Sequence, residues 1–88
     1  MTIGERIKKR RLEMGFTQKD IYIATGISNG NISDIETGRV LPSASTLIAF
    51  SEILNCSTDW ILTGKEFENH IITYTSSEER VLNLYKQL

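Results

Sequence analysis

What most constrains this chain is its punctuation. Thr2-Ile3-Gly4-Glu5 has the form of a capping box, in which a hydroxyl covers one orphan amide at a helix start and a carboxylate three residues on answers it. Thr17-Gln18-Lys19-Asp20 repeats the signal, Ser28 and Ser57-Thr58-Asp59 supply further caps, and Gly15, Gly26, Gly38 and Gly64 stand where helices stop. Pro42 adds another break, because it disfavours helix in the residue before it. Helices delimited this closely are too short to persist alone in water and must pack on one another, so the spacing predicts an all-α fold of small helices.

Between these marks the apolar residues fall at helical spacing. Ile3, Ile7 and Met14, flanked by Leu12, give a first helix one buried stripe and leave Arg6, Lys8, Lys9 and Arg10 largely off it. A second helix runs through Ile21, Tyr22 and Ala24 to Gly26. A third, capped by Ser28, buries Ile27, Ile32 and Ile35 and turns Asn29, Gly30, Ser33, Asp34 and Thr37 outward. After a loop at residues 39–42, Leu47, Ile48, Phe50, Ile53 and Leu54 form a strongly amphipathic fourth helix ending near Asn55, expected to be the main slab of the core. Trp60-Ile61-Leu62-Thr63 makes a short fifth helix, and residues 1–64 are expected to be the domain. Residues 65–75 read as a polar connector holding Ile71, Ile72 and Tyr74. Ser76-Ser77-Glu78-Glu79 then caps a C-terminal accessory helix, 76–88, with Val81, Leu84, Tyr85 and Leu88 at i, i+3, i+4 and i+7. That stripe either packs back on the domain, pairs with a second chain, or leads toward a further domain.

Composition excludes several classes. With 88 residues, 40% hydrophobic and 24% charged, the chain suits one domain. The net charge is −1, but seven basic and five acidic residues precede Pro42 while three and six follow, so the basic excess lies in front. A single cysteine, Cys56, leaves no internal disulfide; with no leader-like start at Met1-Thr2-Ile3-Gly4-Glu5, a reducing cytosol is expected. Cys56 reads as a small buried hydrophobe and His70 as a surface residue. No apolar run approaches the ~20 residues that cross a bilayer. One His and one Cys cannot build a zinc site of such ligands, and no phosphate loop, nucleophile elbow or Cys/His dyad is present. The expectation is a chain that is not an enzyme, without metal, cofactor or small-molecule substrate.

Two short helices joined at Gly26, the second with a polar outer face, are what is needed to hold one helix out toward the DNA major groove while the other crosses the phosphate backbone. At Thr17-Gln18, Gly26-Ile27-Ser28, Ile32-Ser33, Ile35-Glu36-Thr37-Gly38-Arg39, Pro42 and Asp59-Trp60-Ile61-Leu62-Thr63-Gly64, the chain resembles the Xre family, the helix-turn-helix domain of lambdoid phage repressors and Cro proteins. The resemblance spans roughly residues 3 to 64. It implies a five-helix fold, operator binding as a two-fold dimer, and transcriptional repression.

Carried over residue by residue, the resemblance puts Gln18 on a phosphate at the start of the second helix, an end that already favours anions. It turns Ser28, Asn29, Gly30, Ser33 and Asp34 toward bases. Asn29 is the foremost of these, since a carboxamide pairs bidentately with adenine N6 and N7, whereas the Asp34 carboxylate suits only the N4 amine of cytosine. Arg10, Thr17, Thr37 and Arg39 are the further phosphate candidates. Arg11 and Glu36 match the family's partly buried ion pair, in which loss of one member strands the other charge at a cost of ~3–5 kcal/mol. Two positions depart from the pattern. Tyr22 replaces the usual small residue and is expected to crowd the second and third helices. Gly30 removes a side chain from the reading face and costs ~0.8–1 kcal/mol relative to Ala.

The expected function is therefore a cytoplasmic, sequence-specific transcriptional regulator, a homodimer on a palindromic double-stranded operator. An antitoxin or a restriction-modification controller uses the same domain. A protein-interaction adaptor that no longer reads DNA is the rival from another class, carried by the net acidity, Gly30 and Asp34.

Overall fold

In a computed structural model, residues 1–66 are described, and among them there are five helices and no strand. These are α1 (Ile3–Glu13), α2 (Gln18–Thr25), α3 (Asn29–Glu36), α4 (Ala44–Ile53) and α5 (Thr58–Thr63). The helix expected at 76–88, and most of the connector before it, lie outside the described residues. No helix of the described residues is long and apolar enough to cross a membrane.

Each start is capped as the sequence dictates. Thr2 Oγ1 accepts from Glu5 N at 3.1 Å while Thr2 N donates to the Glu5 carboxylate at 2.8 Å. Thr17 and Asp20 repeat this box at 3.0 and 2.8 Å. Ser28, Ser43 and Ser57 each accept from the backbone N–H three residues on. Both box carboxylates are held below the usual carboxylate range, first of all by the backbone N–H of the capping threonine.

The helices close on a core drawn from every one of them: Ile7 of α1, Ile21 of α2, Ile32 and Ile35 of α3, Phe50 of α4 with Leu54 at its cap, and Ile61 of α5. Ile3, Phe16, Ile27, Leu47, Ile53, Cys56 and Trp60 pack around them half-buried. The expected dominance of the fourth helix is corrected here. Ile48 is 53% exposed, and Phe50 is the fully buried residue within α4 itself, because neighbours cover one side of that helix only. α1 lies against α3 and α5, α2 against α3 and α4, and α4 against α5. Burial raises the Cys56 thiol pKa, against a smaller lowering by Arg10 and a further rise from Glu66.

Two features of α1 organise the packing and were not anticipated. Arg6, expected off the apolar stripe, is buried: its Nε donates to Ile61 O at 2.7 Å, Nη2 to Leu62 O at 3.0 Å and Nη1 to Met1 O at 2.6 Å. It thereby satisfies orphan carbonyls at the end of α5 and brings positive charge to the negative end of that helix. One turn on, Arg10 does the same for α4, with Nε donating to Leu54 O at 2.8 Å and Nη2 to Asn55 O at 3.3 Å. The second feature is Gly4, where a Cβ would stand 2.1 Å from Ile35 O and 2.8 Å from Glu36 O. The start of α1 thus meets the end of α3 backbone to backbone.

Gly4→Ala should destabilise the domain by about 2–3 kcal/mol, since the obstruction is backbone that cannot rotate away. Gly30→Ala, where a Cβ meets nothing within 4 Å, should stabilise it by about 0.8–1 kcal/mol through helix propensity. Thermal unfolding of both variants checks the pair, and equal effects would refute the close approach. Because the Asp20 pKa is lowered by folding, its contribution to stability is present above the unfolded pKa and is lost as pH falls through the folded one. The stability gap between wild type and Asp20→Asn should therefore close on acidification through the carboxylate range, and a gap constant into strong acid would contradict this.

Candidate nucleic-acid interface

The turn between α2 and α3 is set by one residue without Cβ. Gly26 has φ +81°, a left-handed conformation strained for any side chain, and its N–H closes α2 on Tyr22 O at 2.8 Å. Thr25 Oγ1 donates to Ile21 O at 2.7 Å and accepts from Ile27 N at 3.1 Å, which holds the two residues leading into Ser28. Ile27 leans on the core, and α3 departs in its new direction.

α3 is sharply two-sided. Ile32, Ile35 and Glu36 are buried, while Ser28, Asn29, Gly30 and Asn31 are exposed and Ser33 and Asp34 are half-buried. Ser28 Oγ is engaged with Asn31 N, and the amides of Asn29 and Gly30 remain at the positive end of the helix, whose first turn carries no acid. Asn31, exposed in this turn beside Asn29, was not singled out from the sequence, although its place one residue beyond Gly30 could have drawn attention to it. Tyr22 is 47% exposed, so the crowding expected between α2 and α3 is relieved outward into solvent.

Behind α3 lies a buried charged knot. Arg11 Nε donates to Glu36 Oε2 at 2.7 Å and Nη2 to Glu36 Oε1 at 3.0 Å, while Nη1 reaches Phe16 O at 2.9 Å. The side chains are 8% and 3% exposed. This is the two-pronged geometry in which a guanidinium matches a carboxylate best. Gln18, the first residue of α2, joins the knot by donating from Nε2 to Glu36 Oε1 at 3.1 Å.

The remaining phosphate candidates separate. Thr17 stands exposed at the α2 start, its Oγ1 accepting from Asp20 N and its hydroxyl lying against the Asp20 carboxylate. Thr37 is exposed, but its hydroxyl donates back to Ser33 O at 2.8 Å. Arg39 is 77% exposed, with Nη1 4.0 Å from Asp34 Oδ1, a separation at which the pair is worth little. Arg10 is turned to the end of α4, where it also meets Glu13 at 3.3 Å. The structure thus brings Thr17, Gln18, Glu36 and Arg11 together at the α2 start, sets Ser28 to Asp34 along α3, and draws Arg10 away.

Residues 7–61 match the helix-turn-helix family. The chain is 42% identical over 66 residues to the HTH-type transcriptional regulator DicA of Escherichia coli (strain K12), across 75% of this chain and 49% of DicA. It is 32% identical over 78 residues to repressor protein C2 of Salmonella phage P22, across 89% of this chain and 36% of C2. The crystal structure of the P22 c2 repressor in complex with synthetic operator 9T superposes with a TM-score of 0.70 at 35% identity, covering 74% of this chain and 98% of that one. The chain therefore spans about half the length of DicA and a smaller share of C2. With the α2–α3 pair inside the matched span and these repressors among its relatives, the chain belongs to the helix-turn-helix family, in its Xre and phage-repressor form.

Proposed function

We propose that this chain is a sequence-specific DNA-binding transcriptional regulator of phage-repressor type, acting in the cytoplasm as a homodimer on a palindromic operator. One observation carries the reading: α3 keeps Ile32 and Ile35 at 0% and 1% exposure while its first turn stands polar and open. A helix held in this way enters a major groove with its N-terminal side chains toward base edges. The relatives named above, a repressor with its operator among them, support it.

In this reading Asn29 pairs with adenine, Ser28 and Ser33 make single hydrogen bonds to base edges, and Asp34 accepts from cytosine N4. Gly30 admits the backbone close to the groove floor. Gln18, Thr17 and Arg39 take phosphates, which fix register without reading sequence. Arg10 and Thr37 fall outside this set, because their donors are engaged within the fold. Val40, Leu41, Ile48 and Leu62 leave apolar surface on the loop before α4, on α4 and on α5, which supports pairing with a second copy.

Asn29→Ala should lose about 1–3 kcal/mol of binding concentrated at one base position, whereas Gln18→Ala should weaken every sequence alike. Selection of duplexes from a random pool, followed by titration of single-base variants, separates the two, and a uniform loss from both would sink the assignment. The recovered sites should be palindromes with half-sites centred ~34–36 Å apart, one helical turn. Equal affinity for every half-site spacing would contradict the dimer, and no binding to any duplex at low salt would favour a protein-interaction adaptor.

A further inference from the structure

Resting on the DNA reading above, we infer that Glu36 is a positioning residue for Gln18: it holds the carboxamide so that one amide hydrogen is kept for a DNA phosphate. A phosphate oxygen only accepts, so of the Gln18 side chain only the NH2 group is of use to it. Only that same group can face a carboxylate favourably, because the amide oxygen there would meet Glu36 Oε1 as one acceptor against another. The 3.1 Å bond from Nε2 to Oε1 therefore fixes which end of the amide points to the knot and consumes one of its two hydrogens. No further partner takes the second among the described residues.

The holder is itself held. Glu36 has a 3% exposed side chain and receives two bonds from Arg11, which cannot lose its proton. Arg11 also offsets the carboxylate charge, which would otherwise repel a phosphate brought to the same helix end. The Gln18 and Lys19 backbone amides lie at that end too, since Thr17 takes only the amide of Asp20. Side-chain and main-chain donors are thus assembled before any ligand arrives.

The test is a double-mutant cycle on binding to a random-sequence duplex of about 30 base pairs at low salt, where phosphate contacts dominate. Gln18→Ala, Glu36→Gln and the double variant are compared with wild type well below their melting temperatures. Gln18→Ala and Glu36→Gln should each weaken binding about tenfold. The double variant should bind no more weakly than Gln18→Ala alone, and because a neutral amide releases no counterion, the salt slope of Gln18→Ala should stay close to that of wild type. Losses that multiply in the double variant would overturn the inference while leaving DNA binding intact; no wild-type binding would overturn both. Should Glu36→Gln fail to fold, the wild-type Gln18 side-chain amide signals in NMR decide the matter. One hydrogen should be shifted already in the free protein and the other should move on adding duplex. A pair at the ordinary shifts of a solvent-exposed glutamine amide, or neither signal moving with DNA, would refute it.

Discussion

The ion pair between Arg11 and Glu36 is the constraint on which the arrangement turns. One guanidinium ties α1 to the end of α3 and, through Phe16 O, to the segment that leads into α2. Removing either partner would leave a charge stranded in a place water does not reach, at roughly 3–5 kcal/mol, which is a large part of what a small domain has to lose. The pair is less a source of net stability than a source of uniqueness. A hydrophobic substitute of equal volume would fill the space, but it would not fix the angle between α1 and the α2–α3 unit by directed bonds.

Backbone contact supplies the second fixed point. Gly4 lets the start of α1 settle onto the carbonyls that end α3, so the two helices meet at both ends of their contact, once through main chain and once through the charged knot. α3 is short, and neither its propensity nor its two buried isoleucines would orient it alone. Its direction is set by neighbours at its C-terminal end, and its first turn is left open to solvent.

Much of this was legible in the sequence, for a physical reason. Caps and stops act over three or four residues, so Thr2, Thr17, Ser28, Ser57, Gly26 and Gly64 announce their roles locally, and the isoleucines of α3 reveal its buried side by spacing alone. What could not be read was reach. Arg6 and Arg10 looked like members of a basic run, yet they stretch to carbonyls contributed from more than forty residues away. Gly4 gave no signal beyond its place in a capping box, because the carbonyls it avoids belong to another helix. The bond from Gln18 to Glu36 lies between these cases: each residue was named for its own role, and only the fold makes them neighbours.

The arginine caps have a consequence for how such a domain would search a genome. Arg6, Arg10 and Arg11 are occupied inside the molecule, so the cations that stand out on the first three helices and the loop after them are few: Lys8, Lys9, Lys19 and Arg39. Adhesion to arbitrary duplex grows with each cation presented to the backbone and is the background against which any target must compete. A reader this sparing of surface charge would linger little on the wrong DNA, leaving its hold on the right site to shape and to amide hydrogen bonds.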